Sequence, residues 1–114
     1  MSVLSELNIL LGTLDIPIET GIFSEVPPDE YLVITPMSDI LDLYADNRPL
    51  AQLEEARLSL FTKSNYINRR NQLTRLLLGA GFSITDRRYI GFEEDTKYHH
   101  YAIDVMMEYE MEVI

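Results

Sequence analysis

The stretch YHHYAIDVMMEYEMEV, residues 98–113, alternates along its length. His99, Tyr101, Ile103, Val105, Met107, Tyr109 and Met111 fall on one side, and Tyr98, His100, Ala102, Asp104, Met106, Glu108 and Glu110 on the other. A period of two marks a β-strand, whose successive side chains point to opposite faces. The more apolar set marks the face turned toward a core. Just upstream, FSITDRRYIGF (82–92) leads toward this strand, and Glu93, Glu94, Asp95, Thr96 and Lys97 separate the two. The pair reads as a long β-hairpin whose acidic tip faces water.

Before the hairpin the period changes. Tyr66, Leu73, Leu76, Leu77 and Ala80 share one face of a helix, with Ser64 or Asn65 as N-cap and Gly81 suited to a left-handed C-terminal turn. Ile67, Thr74 and Leu78 widen that face beyond what packing on one sheet requires, leaving room for a second neighbour. Upstream again, EEARLSLFT (54–62) sets Ala56, Leu58 and Leu60 against Arg57, Ser59 and Phe61, as a strand does. EYLVITPMS (30–38) is another strand, expected to stop at Pro36, which cannot donate to a central ladder. DILDLYADNRPLA (39–51) contains the turn formers Asp46, Asn47 and Pro49, and reads as an irregular excursion or a bent extra strand.

Ser2 is placed to cap a first helix over about residues 3–13, with Val3, Leu7, Leu10, Leu11 and Leu14 on one face. Pro17 discourages more helix, and Ile16, Ile18 and Thr20 suggest a short strand. The expected architecture is α+β: a twisted antiparallel sheet of four to five strands with two helices, in the order α-β-β-(β)-α-β-β. One domain over residues 1–114 fits the length, since a chain this short builds a single two-layer core.

The formal charge is −10, and it is unevenly spread. Residues 1–50 hold nine acids against Arg48 alone, a block of −8; residues 82–114 hold eight acids against three bases, a block of −5. Residues 51–81 hold two acids against five bases, a block of +3. Binding to a nucleic-acid backbone depends on clustered cations, so sequence-specific nucleic acid is not expected as a partner. There is no cysteine, which removes disulfides, thiolate metal sites and cysteine nucleophiles. The opening MSVLSELNILLGTLD has Glu6 inside its apolar run and fits neither a secretory leader nor a membrane span, so no membrane partner is expected.

GFEEDTKYHHY (91–101) is the richest cluster of titratable groups. Glu93, Glu94, Asp95, His99 and His100 are all chemically competent metal ligands, yet adjacent strand residues point to opposite faces, so His99 and His100 cannot grip one ion together. His99 shares the apolar face and reads as a satisfied, partly buried histidine; His100 reads as a surface residue near Asp104. The acids lack the glycine-centred pattern of a calcium loop. No serine sits in a glycine-flanked elbow, and LLLGAGF lacks the lysine and hydroxyl of a phosphate-binding loop. No catalytic residue, metal ligand or cofactor is assigned. Among the other aromatic and sulfur side chains, Tyr98 and Met106 suit either an interface or a core, and Tyr109 suits the core.

Three segments carry a resemblance: YLVITPMSD (31–39), YADNRPLAQLEEARLSLFTKSNYINRRNQLTRLLLGAGF (44–82) and FEEDTKYHHYAIDVMMEYE (92–110). A strand ending in LFTKS runs into an Asn/Tyr-started helix closing with AGF, and a turn of acids leads to a Tyr-His strand. In this pattern the chain resembles the small tail-terminator, or tail-completion, proteins of long-tailed bacteriophages and prophages of Gram-positive hosts. The likeness spans nearly the whole chain and rests on helix, strand and turn residues rather than on a sharp motif.

The resemblance implies a non-enzymatic α+β protein that assembles as a ring, typically six-fold, capping the tail tube. The implied partners are further copies of itself, the major tail tube protein and the head–neck connector protein. The implied location is the virion tail, assembled in the bacterial host cytoplasm. A ring joins one patch to a different patch on the next copy, and Lys63, Arg69, Arg70 and Arg75 between acidic segments are the candidate subunit interface. Glu93, Glu94 and Asp95 are the candidate contact to tube or neck, and an acidic lumen would repel passing DNA. Two alternatives remain: a head-closure protein of the neck, and a small metal-dependent hydrolase built on Glu93, Glu94, Asp95 and His100.

Overall fold

The computed structural model describes residues 2–20, 28–45 and 48–110. Asp46 and Asn47, two of the expected turn residues, lie outside them, as do Pro27 and Met111. The elements run α1 (Val3–Leu11), β1 (Ile18–Thr20), β2 (Glu30–Ala45), β3 (Arg48–Thr62), α2 (Tyr66–Gly79), β4 (Ser83–Phe92) and β5 (His99–Glu110). Two helices and an open five-stranded sheet make an α+β fold, with strand order β1-β2-β3-β5-β4.

Each helix begins where its polar side chain satisfies free backbone donors. Ser2 and Ser5 form a reciprocal capping box at α1, and the Asn65 carboxamide oxygen accepts from the backbone of Ile67 and Asn68 at α2. After α2 the chain turns through Gly81 at φ 91°, a left-handed conformation that a side chain resists. The Glu54 carboxylate accepts from Val3 N at 3.1 Å, placing negative charge at the first turn of α1, and Tyr109 donates to Glu6 at 2.6 Å. These two bonds fasten α1 across β3 and β5.

Both helices cover one face of the sheet. Leu7 and Leu11 from α1, Leu73 and Leu77 from α2, Leu32 and Ile34 from β2, Leu58 and Leu60 from β3, and Ile103 and Val105 from β5 are all essentially water-free. Removing this apolar surface from water is the main stabilising contribution to the fold. Tyr109 packs against the same core, as its position in the alternation suggests.

Three differences from the sequence reading matter. β1 pairs with β2 in parallel, Ile18 opposite Leu32 and Thr20 opposite Ile34, so the sheet is mixed rather than wholly antiparallel. β2 does not stop at Pro36: the register shifts between Pro36 and Asp39, and pairing resumes at Asp39–Glu54 and continues to Ala45–Arg48. Such an irregularity accommodates the missing donor without ending the strand. The described parts of DILDLYADNRPLA, 39–45 and 48–51, therefore belong to β2 and β3 and form neither an excursion nor a separate strand. At about 3.3 Å per residue, strands of this length span roughly 50 Å, which accounts for overall dimensions of 55 × 27 × 24 Å. α1 also ends two residues earlier than expected, at Leu11, with Gly12 as its C-cap.

Candidate functional site

The acidic turn sits where the alternation puts it, between β4 and β5. Glu93 N donates to Tyr98 O at 2.9 Å and Lys97 N to Glu93 O at 2.7 Å, so a narrow hydrogen-bonded loop carries the tip. Lys97 adopts φ 67°, and Thr96 donates to the Glu93 carboxylate at 3.1 Å. Glu93, Glu94, Asp95, Thr96 and Lys97 are all exposed. Behind the tip, the nearly buried Tyr98 donates its hydroxyl to the Pro28 carbonyl, tying the turn to the start of β2.

The two histidines separate as adjacent strand residues must. His99 lies on the helix-covered face, its Nδ1 2.9 Å from the Tyr89 hydroxyl, among the rings of Tyr66 and Phe92. His100 lies on the opposite face, which no helix of the described residues covers. It is half-buried rather than a free surface residue: its ring stacks on Phe61 at 4.2 Å, and Phe61 stacks on Tyr31 at 4.8 Å. Its Nε2 is buried with no hydrogen-bond partner among the described residues. Burial pushes the imidazole below its ordinary pKa, with Glu93 opposing the shift and Arg57 adding to it.

His100 does not pair with Asp104. Arg57 takes that carboxylate in a two-pronged grip, Nε to Oδ1 at 2.8 Å and Nη2 to Oδ2 at 3.1 Å, directly across the β3–β5 register. Residue periodicity places both groups on the polar faces, but only the strand register shows that they meet. Phe61 was likewise hidden among polar neighbours, and its ring partners come from two other strands, β2 and β5, and from the turn. Among the described residues, no group of three or more histidine and carboxylate side chains is placed to hold a metal ion.

The basic strip is partly consumed inside the chain. Arg69 Nη2 meets Glu30 Oε1 at 2.6 Å, and the other oxygen of Glu30 accepts from the fully buried Thr62 at 3.0 Å. This network joins β2, the end of β3 and α2. Lys63 reaches Asp29 at 3.4 Å and lies 5.0 Å from the Tyr98 ring centre. Arg70 lies over Tyr101 and bonds Asn71. Arg75 is exposed. Arg69 and Arg70 are thus engaged within the chain, while Lys63 and Arg75 are exposed.

The widened face of α2 does stand partly free. Ile67 is 44% exposed and Leu78 56%, while Ile9 of α1 is 65% exposed. Ile9, Leu10, Ala80 and Phe82, with Glu6, line a shallow cleft of about 270 Å³ at this end of the helical layer. No helix among the described residues is long and apolar enough to cross a membrane. Comparison with known proteins finds no family model and no curated relative that matches the chain.

Proposed function

We propose that this chain is a structural subunit of a long-tailed phage or prophage tail, which caps the tail tube as a ring and contributes to joining tail to head. The sequence resemblance suggests the role. The observation that carries it is the long β2–β3 pair, which runs from Glu30–Thr62 to Ala45–Arg48, past the last β3–β5 partners at Ala51–Glu110, and gives a small chain long edges for copies of itself. The exposed acidic turn supports the same reading, because it offers a charged contact on a loop anchored by Tyr98. The described residues hold aromatic stacks and ion pairs across the sheet rather than a deep cleft lined by convergent acids and bases.

The partners in this reading are further copies of the chain, the tail tube protein and the connector at the head. Complementation of assembly extracts lacking the protein tests it. Purified chain added to isolated tails should make them competent to join heads. Completion of connector-bearing heads instead would assign a head-closure role, and no effect on either would remove the reading.

A further inference from the structure

Among the described residues the strand order leaves two sheet edges uncovered, and they differ in charge. β4 is the last strand on one side, and nearly all of its residues are exposed. Proteins usually blunt such an edge with short length, proline, charged side chains, lysine above all, or β-bulges. β4 has ten residues with neither proline nor lysine, and Tyr89, Ile90 and Phe92 are 42%, 49% and 46% exposed. Its register with β5 shifts near Ile84 and again near Ile90, leaving Asp86–Tyr89 as the regular stretch. That stretch contains Arg87 and Arg88. Among the described residues, Arg88 has only an exposed 3.4 Å pair with Asp86, and Arg87 only the Thr74 hydroxyl at 3.2 Å.

At the opposite side, β1 covers β2 only from Leu32 to Ile34. Beyond the register shift, Asp39–Ala45 pairs with β3 on one side and, among the described residues, with no strand on the other. This segment reads DILDLYA, apolar except for Asp39 and Asp42.

We propose that the β4 edge of one copy pairs with the Asp39–Ala45 edge of β2 in the next copy, joining their sheets into one antiparallel ladder. The direction follows from the topology. Each neighbour in β2-β3-β5-β4 is antiparallel, so β4 runs opposite to β2. Rotation about an axis along the strands therefore presents the next β2 antiparallel to β4. Main-chain hydrogen bonds supply the adhesion, and the charges select the partner. Pairing β4 with β4 would gather four arginines against two aspartates, and pairing β2 with β2 would gather four aspartates, whereas the mixed pairing brings the stretch holding Arg87 and Arg88 beside the stretch holding Asp39 and Asp42. A contact between unlike edges leaves one free edge at each end of any open chain of copies, so it is satisfied only when a ring closes. This deepens the ring reading and rests on it, but its test needs only purified protein, so either can fail alone.

The absence of cysteine makes the test clean. Asp39→Cys, Arg88→Cys and the double variant, each checked for an unchanged far-ultraviolet circular dichroism spectrum, are treated with a short bis-maleimide and separated by denaturing electrophoresis. The double variant should give a ladder extending beyond the dimer, and adding Arg87→Glu should weaken the ladder several-fold. A dimer from Arg88→Cys alone that grows no further in the double variant would show like edges pairing and overturn the proposal. Monomer alone from the double variant at high protein concentration would also overturn it.

Discussion

Arg57 and Asp104 form a pair whose two halves differ in access to water. The Asp104 side chain is 12% exposed and the Arg57 side chain 33%. Removing the arginine strands a nearly buried carboxylate, while removing the negative charge leaves a guanidinium that water can reach. Arg57→Leu should therefore cost about 2 kcal/mol, at the low end for breaking a buried pair because the site is partly screened. Asp104→Asn should cost about 1 kcal/mol or less, since the amide oxygen still accepts a hydrogen bond. Urea denaturation at neutral pH checks the order. Equal losses would show that the pair behaves as a surface contact.

His100 gives a second test at the same scale. Its pKa is lowered in the folded chain by burial. The neutral ring therefore contributes stability above its unfolded pKa of about 6.5, and that contribution is lost as pH falls through the lower folded value. His100→Phe keeps the stack on Phe61 and removes the titration. The variant should lose less stability than the parent between pH 7 and pH 5.5, with the other carboxylates common to both. Identical losses would place the imidazole in water and contradict the burial of Nε2.

Among the elements, local signals were read where backbone chemistry acts within a few residues. Asn65→Ala should cost about 1 kcal/mol by removing the acceptor for Ile67 and Asn68. Gly81→Ala should cost about as much because of its φ of 91°, and thermal unfolding measures both. The β4–β5 hairpin was legible from the alternation of residues 98–110, and both helices from their caps and apolar spacing. The length of β2 was not, because Pro36 and the following turn formers look like a strand's end. Continuation depends on pairing with β3 across a register shift, a non-local fact. The parallel pairing of β1 was hidden for the same reason, since Ile16, Ile18 and Thr20 carry no sign of their neighbour. The anchoring of Arg69 by Glu30 joins residues far apart in sequence, so the basic run resembled a free surface strip.

At the scale of the whole molecule, an elongated acidic sheet with helices on one face has more edge and open face than its own core uses. The exposed turn Glu93–Asp95 has no part in that core. Replacing Glu93, Glu94 and Asp95 with serine should leave the unfolding midpoint nearly unchanged while reducing head–tail joining in an assembly extract. A collapse of stability would make the turn a structural element instead. The proposed capping role also makes a demand on length: a tube that is not capped continues to polymerise. Electron microscopy of tails assembled with and without this protein measures that directly. Uniform tails in its presence and a broad distribution reaching greater lengths in its absence are the expected result; the same narrow distribution in both would contradict the capping role.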